Sequence, residues 1–150
     1  MTTAAAVTWT ASKTETPARV ASWRSMEAVS QGRKEDWLAL FAEDAVVEDP
    51  VGPSMFDQEG KGHHGKEAIA AFWDLAIANV ERFEFAIHDS FAAGTECANV
   101  GTISAFLPGN ARVDTEGVFV YNVGEDGLIK SVRAFWETER AMATLRVEEA

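Results

Sequence analysis

The sequence predicts an α+β fold in which helices cover one face of a strongly curved, mainly antiparallel sheet. Apolar residues recur at helical spacing in the first half of the chain, whereas apolar and polar residues alternate from Phe83 onward. Two turn segments, residues 108–110 and 124–127, divide this later part into strands, as hairpin turns do. Helices grouped early and antiparallel strands grouped late are typical of the α+β class.

Three helices are expected ahead of the long strands. Pro17 suits the first turn of a helix that runs to about Ser30, and Gly32 suits its end. A second helix is predicted over residues 34–42 and a third over residues 66–79, where apolar residues return every three or four positions.

Strands are predicted where the helical spacing stops. β-branched residues indicate a strand over residues 45–49, and Pro50 ends it because proline has no N–H to give to a sheet. Four later strands are predicted at residues 83–89, 97–107, 113–123 and 128–138. In the first of these, alternation places Asp89 on the same apolar face as Phe85 and Ile87.

The length of 150 residues and a hydrophobic fraction of 47% fit one folded domain, which is predicted at residues 17–139. Residues 1–16 are expected to form a mobile N-terminal tail, because they are rich in Ala and Thr and contain one large ring, Trp9. Residues 140–150 are expected to form a charged C-terminal tail, in which Met142 and Leu145 could pack as a short helix.

The net charge and the cysteine content restrict which binding partners and which cellular compartment are expected. The net charge of −11 disfavours nucleic acid and anionic membranes as partners, because both bind positively charged protein surfaces. The first residues lack the basic start and the apolar run of a secretory signal, and no stretch is apolar enough to span a bilayer. The single cysteine, Cys97, cannot form an internal disulfide, which suits a reducing cytoplasm.

The acid pair Glu48-Asp49 at the end of the first long strand is the foremost candidate for chemistry. A carboxyl group held at a strand end among apolar side chains can have a raised pKa, which suits a proton-transfer base. The alternative is that the pair is only a solvated strand end.

The residues around this pair resemble a known family. Residues 41–52, FAEDAVVEDPVG, closely resemble the helix-to-strand segment of bacterial steroid Δ5-3-ketoisomerases. Residues 30–37, 65–73 and 127–136 resemble further segments of that family in the same order, so the resemblance extends over about residues 18–138. The chain is identified as a ketosteroid isomerase-like, SnoaL-like member of the nuclear transport factor 2-like (NTF2-like) superfamily. The resemblance implies a cone of three N-terminal helices on the sheet, a cofactor-free apolar cavity, and a homodimer through the opposite sheet face.

The resemblance assigns the base role to Asp49 and turns Glu48 the other way. The resemblance also indicates that the hydrogen-bond donors of the family's oxyanion hole are altered in this chain. Ser25 stands at the position of the oxyanion-hole tyrosine, Phe119 at that of the second acid, and Trp73 at that of a supporting tyrosine. Each lost donor to a developing oxyanion typically costs about 2.7–4 kcal/mol. Turnover of a Δ5-3-ketosteroid is therefore expected to be weak or absent while binding persists.

Substitute donors are available in the sequence. The hydroxyls of Ser25 and Tyr121, the indole N–H of Trp73, and the rings of His63 and His64 could each meet a ligand oxygen. Each has a plainer alternative, as a solvated serine, a core aromatic residue or an exposed loop histidine. The histidine pair lacks metal-ligand spacing, and no metal site is predicted.

An apolar wall is expected around Asp49, since aromatic rings bury large areas against flat polycyclic ligands, although each ring could equally be plain core. The predicted ligand-contacting residues are Ser25, Met55, Phe56, Phe72, Trp73, Phe119, Tyr121 and Trp136. In the connection over residues 51–64, Met55 and Phe56 are expected to turn inward and cap the site. Asp89 is a possible second acid, or a strand-end residue turned to water.

These features favour a cofactor-free proton-transfer enzyme that acts on a hydrophobic polycyclic ketone, steroid-like or polyketide-like, with Asp49 as general base. The favoured reaction is isomerisation with an altered oxyanion hole, and a cyclase or dehydratase is less favoured. The alternative is a non-catalytic protein that binds a steroid-like molecule in the same cavity. A dimerisation or scaffold module is a third interpretation.

Overall fold

The structure, a computed structural model, describes residues 6–148. Its helices are α1 (Pro17–Ser30), α2 (Lys34–Leu38), α3 (Gly65–Ala76) and α4 (Thr138–Met142), and a 3-10 turn covers Pro108–Asn110. Its strands are β1 (Val7–Trp9), β2 (Phe41–Glu48), β3 (His63–His64), β4 (Arg82–Ala93), β5 (Glu96–Leu107), β6 (Ala111–Val123), β7 (Ile129–Phe135) and β8 (Arg146–Val147).

The strands of the described residues form one sheet with the order β1-β4-β5-β6-β7-β2-β3, and β8 pairs with β6 outside this path. The long strands β4, β5, β6 and β7 are antiparallel neighbours, whereas β1 joins β4 and β2 joins β7 in parallel. Helix α1 packs against β4, β5 and β6, and α3 packs against β2. The predicted α+β class is confirmed.

Helix α1 begins and ends where its sequence predicts. Thr16 caps it by accepting a hydrogen bond from the backbone N–H of Arg19 at 3.2 Å, and Pro17 occupies the first turn. At the other end Gly32 has a φ of +67°, and the N–H of Arg33 donates to the carbonyl of Ala28. This closing pattern needs a left-handed residue, which glycine adopts without strain.

The boundary between α2 and β2 differs from the prediction. Helix α2 ends at Leu38 and β2 begins at Phe41, although the apolar spacing predicts helix to residue 42. Phe41 pairs with Ile129 of β7, whose N–H donates to the carbonyl of Leu40 at 2.8 Å. Pairing with a strand that is distant in sequence outweighs a weak local helical preference.

The predicted alternation along β4 fails after Ile87. The strand shifts register between Ile87 and Asp89, which is the signature of a β-bulge. Ser90 rather than Asp89 therefore takes the next buried position, and Asp89 is exposed. The structure thus removes Asp89 from the candidate acids.

Both predicted tails contain parts of the sheet. Val7–Trp9 runs parallel to β4, with Val7 opposite Phe85, and Arg146–Val147 lies beside the start of β6. The sheet therefore extends beyond residues 17–139 at both ends, because pairing with long strands orders segments whose own sequences carry little signal. Residues 1–5 and 149–150 of the predicted tails lie outside the described residues.

The main core lies between the helices and the inner face of the sheet. The ring of Trp37 makes an edge contact with Phe41 and lies 5.3 Å from the ring of Trp73, between centroids. Phe41, Ile69 and Ile129 are fully buried beside them. This packing occupies the α2 and α3 end of the domain and leaves a cavity under α1.

Candidate active site

One cavity of about 410 Å³ is lined by α1, α3 and the inner face of the long strands. This volume falls in the range of small-molecule sites, and most of the wall is apolar. Trp73 does not line it, contrary to the prediction, because its ring packs in the core behind Trp37, which takes that place on the wall. The predicted residues on the wall are Ser25, Asp49, Met55, Phe56, Phe72, Phe119, Tyr121 and Trp136.

Strand alternation at the end of β2 directs Asp49 to the cavity. Val47 and Asp49 both line it, whereas Glu48, between them, accepts a hydrogen bond from Arg133 Nε at 3.1 Å. The chain is held just after this point, because the N–H of Val51 donates to the carbonyl of Ala134 at 2.9 Å. Two adjacent acids thus lie on opposite faces of one strand.

The carboxyl group of Asp49 is held by one indole. Trp136 Nε1–H donates to Asp49 Oδ1 at 2.6 Å, which leaves Oδ2 for another partner. Although the residue keeps some accessible surface, burial of the carboxyl group raises its pKa, and the hydrogen bond from Trp136 opposes that rise. A carboxylate that is short of water and of donors is a stronger base than a solvated one.

A second polar group on the wall contains Ser25, Trp37 and Tyr121. Trp37 Nε1–H donates to Ser25 Oγ at 3.0 Å, so the Ser25 hydroxyl hydrogen is free to point elsewhere. Burial raises the pKa of Tyr121 to about 12; hydrogen bonding with Ser25 opposes this rise, and the negative charge of Asp49 adds to it. Tyr121 is therefore a protonated hydroxyl, a donor, at neutral pH.

Trp37 and Asn99 are among the polar wall residues that sequence reasoning missed. Trp37 fits the apolar stripe of α2, so its spacing predicts a core residue. Asn99 is 1% exposed and pairs with Phe119 across β5 and β6. The signal for Asn99 was available, since alternation along β5 puts it on the same inward face as Cys97.

In the connection that follows Asp49, Phe56 turns inward but Met55 does not. Phe56 is partly buried and meets Phe72 edge-on, with the centroids 6.1 Å apart. Met55 is 55% exposed at the rim, so the prediction that both residues cap the site is wrong for Met55. Asp57 anchors the segment by accepting hydrogen bonds from the N–H groups of Gly62 and Gly60, and these bonds lower its pKa.

The two histidines of β3 do not line the cavity, so neither is placed to meet a ligand oxygen. His63 packs against Phe72 with centroids 4.8 Å apart, and burial lowers its pKa. His64 is exposed, and its Nε2 lies 2.7 Å from the carbonyl of Lys61.

Within residues 6–148 no cluster of histidine, cysteine or acidic side chains could hold a metal ion. In the same part of the chain, no helix is long and apolar enough to cross a membrane.

Comparison with known proteins finds relatives whose names refer to steroids. A steroid Delta-isomerase of Nocardioides simplex is 32% identical over 114 residues, which cover 75% of this chain and 84% of that protein. The crystal structure of Rv0760c from Mycobacterium tuberculosis in complex with estradiol-17beta-hemisuccinate is 34% identical, with a TM-score of 0.79. That match covers 88% of this chain and 99% of the other.

A second kind of relative carries a different activity. The epoxide hydrolase LasB of Streptomyces lasalocidi is 32% identical over 125 residues, which cover 79% of this chain but only 40% of LasB. The chain therefore spans less than half the length of that curated relative. A family model described as a SnoaL-like domain matches residues 20–132, which include Ser25, Asp49 and Tyr121. The chain belongs to the SnoaL-like family, within the NTF2-like fold.

Proposed function

We propose that the protein is a proton-transfer enzyme of the ketosteroid isomerase type, with Asp49 as its general base. The observation that carries this proposal is the Asp49 carboxyl group on the wall of an apolar cavity, held by a single donor, Trp136, at 2.6 Å. Burial raises its pKa, which brings the base closer to the working pH.

The chemistry follows from the placement of the polar groups. Asp49 Oδ2 takes a proton from the carbon between the ketone and a β,γ double bond, and the electrons of that C–H bond form a dienolate. The negative charge develops on the ketone oxygen, where the protonated hydroxyl of Tyr121 donates a hydrogen bond. Asp49 then returns the proton to the γ carbon, and the double bond ends in conjugation with the ketone.

The substrate class is a hydrophobic polycyclic ketone. Phe56, Phe72 and Phe119 offer ring faces and edges that suit a flat, rigid molecule. The relatives act on or bind steroids, or open epoxides in the case of LasB, which supports a steroid-like or polyketide-like substrate. A module that only dimerises or acts as a scaffold does not require a cavity of this volume.

A second candidate, a non-catalytic binding protein for a steroid-like molecule, is favoured by one specific observation. Ser25 and Phe119 occupy the positions where the isomerase resemblance places a tyrosine and an acid, and Phe119 carries no hydrogen-bonding group. In that case Asp49 and Tyr121 would orient a bound ketone without turning it over.

Turnover and binding measurements separate these candidates. Wild-type protein is incubated with a Δ5-3-ketosteroid, and the absorbance of the conjugated product is followed, with affinity measured in parallel. Under the enzyme proposal, Asp49→Asn lowers kcat by about 10²–10⁴-fold while binding persists. Glu48→Gln is the matched control, since this acid lies on the other face of the strand. Binding without turnover in the wild type supports the second candidate, and no binding contradicts both.

We further propose a homodimer through the outer face of the sheet. Phe91 is 64% exposed on β4, and Phe135 is 44% exposed on β7. Between them, Val100 pairs with Val118, which pairs with Phe135, so apolar side chains continue across adjacent strands. Sedimentation should give a dimer that Phe135→Glu converts to a monomer, whereas Val147→Glu at the exposed β8 leaves it intact.

A further inference from the structure

A buried cation lies beside the cavity without an acidic partner. Arg19 on α1 is 4% exposed, and within residues 6–148 no carboxylate forms a salt bridge with it. Its donors reach neutral oxygens: Nε meets Ser90 Oγ at 3.0 Å, Nη2 meets the carbonyl of Ser90 at 3.1 Å, and Nη1 meets the carbonyl of Thr14 at 2.8 Å. A guanidinium stays charged, and burying it without an anion is costly.

Hydrogen bonds lead from Arg19 to Asn99 by way of Ser90, whose Oγ also lies 3.4 Å from Cys97 Sγ, a contact in which either atom can donate. Because Arg19 Nε–H already occupies Ser90 Oγ as an acceptor, the Ser90 hydroxyl hydrogen is donated onward, to Asn99 Oδ1 at 2.8 Å. The thiol of Cys97 also donates to Asn99 Oδ1, at 3.2 Å. Two donors on one oxygen favour the orientation in which this end of the Asn99 amide is the carbonyl and the other end is the NH₂ group.

The NH₂ group of Asn99 keeps one hydrogen free. Nδ2 donates to Ser22 Oγ at 3.0 Å, and the Ser22 hydroxyl donates in turn to the carbonyl of Arg19 at 2.7 Å. The second Nδ2–H has no acceptor among the described residues, although the side chain is 1% exposed and lies on the cavity wall. An amide donor in such a place is satisfied when a ligand oxygen supplies the acceptor.

This free donor lies near the other oxygen-binding group. Ser22, which holds Asn99, and Ser25, which neighbours Tyr121, are one turn apart on α1, a rise of about 4.5 Å. Asn99 also pairs with Phe119, the position at which the resemblance places the missing acid. Asn99 on β5 and Tyr121 on β6 thus both line the cavity, and the charge of Asp49 acts on Tyr121.

We infer that Asn99 is the second hydrogen-bond donor to the ketone oxygen of the ligand, and that Arg19 and Ser90 are positioning residues that hold and polarise its amide. This inference rests on the proposed function and names the groups that complete its oxygen-binding site. The buried guanidinium draws electrons through Ser90 Oγ and Asn99 Oδ1, which makes the amide N–H a stronger donor. Negative charge that develops on the ligand oxygen is then linked to the Arg19 guanidinium through three hydrogen bonds, by way of Asn99 and Ser90.

Testosterone is a suitable probe, because its single ketone is conjugated and can be labelled with ¹³C. The side-chain amide signal of Asn99 in ¹⁵N NMR should move when testosterone binds, and the stretching frequency of the bound carbonyl should fall. Asn99→Asp, which removes the N–H at nearly constant size, should lower affinity by about tenfold and bring the carbonyl frequency back toward that in solution.

Ser90→Ala tests the positioning role, because it leaves Asn99 in place and breaks the link to Arg19. It should raise the carbonyl frequency part of the way, an effect that simple loss of packing would not produce. Asn122→Ala, on the outer side of β6, is the matched control and should change neither quantity.

The outcomes distinguish this inference from the function on which it rests. Wild-type protein that binds testosterone with an unmoved Asn99 signal overturns the inference alone, even if Asn99→Asp does not fold. Wild-type protein that binds no ketosteroid overturns the proposed function as well.

Discussion

The proposed base side and the proposed oxygen-binding side of the cavity are built in different ways. The base side needs two residues, Asp49 at the end of β2 and Trp136 just after β7, joined by one hydrogen bond. The oxygen-binding side draws Ser25, Trp37 and Tyr121 from α1, α2 and β6. A base requires little more than desolvation, whereas an oxyanion site requires donors that converge on one point. The second requirement can be met by different residues, so a strand-end acid can be kept while the proposed oxygen donors differ.

Among variants that leave Asp49 in place, the largest expected effect comes from removing the hydroxyl of Tyr121. Tyr121→Phe should lower kcat by about 10²–10³-fold, since it deletes one preorganised donor, and should leave KM less changed. Ser25→Ala, which keeps the tyrosine, should cost less. Because the pKa of Tyr121 is raised to about 12, wild-type activity should show no alkaline fall from this group below about pH 11. Equal rates for Tyr121→Phe and wild type would place the donors elsewhere.

A smaller effect is expected from the support of the base. The hydrogen bond from Trp136 lowers the pKa of Asp49, so Trp136→Phe should raise that pKa further. The base must be ionised to act, and the acidic limb of the rate–pH profile should therefore move to higher pH. We expect roughly a tenfold loss of activity at acidic pH, and much less at alkaline pH. Trp9→Phe is the control, since Trp9 does not line the cavity, and an unmoved profile in Trp136→Phe would contradict the assignment.

The wall residues should change affinity rather than rate. Phe56→Ala removes a ring that packs against Phe72 beside the cavity, and at about 25 cal/mol per Å² buried the affinity for testosterone should fall several-fold. Met55→Ala should have a smaller effect because Met55 is mostly exposed at the rim. Titration calorimetry on both variants compares them directly. A larger loss for Met55→Ala would indicate that Met55 closes over the bound ligand.

The smallest effect concerns stability and its dependence on pH. The pKa of Asp49 is raised in the folded protein, so its contribution to stability is fully present below the unfolded pKa and is lost as pH rises through the folded pKa. Asp49→Asn should therefore be more stable than wild type at neutral pH, and the difference should shrink below about pH 4. Glu48→Gln should be less stable than wild type at neutral pH, since it removes an ion pair with Arg133 worth ~0.2–1 kcal/mol. Thermal melts at several pH values measure both, and an Asp49→Asn that is less stable at every pH would show that burial does not govern this carboxyl group.

Several elements followed directly from short-range patterns. Pro17 and Gly32 bound α1 as the sequence predicts, and the turns at residues 108–110 and 124–127 separate the long strands. Alternation also placed Asp49 and Glu48 on opposite faces. Each of these features depends on residues within a few positions of one another, so a single sequence contains the information.

Other elements depended on partners that are distant in sequence. The bulge after Ile87 follows from pairing with β5, and the early start of β2 follows from pairing with β7. Trp37 lines the cavity and Trp73 lies in the core, the reverse of what local spacing indicates, because the two rings pack against each other between α2 and α3. Local spacing identifies an inward face but does not distinguish a core position from a cavity wall.

The sequence by itself determined the α+β class, the family resemblance and the candidate base, because helix caps, strand alternation and the FAEDAVVEDP motif are local. Only the tertiary structure decided how the base is held and where the other donors lie. Trp136 and Asp49 are 87 positions apart, and Arg19 and Ser90 are 71 positions apart. Such contacts depend on how the strands and α1 pack around the cavity, and the direction of each hydrogen bond depends on the neighbours that this packing supplies.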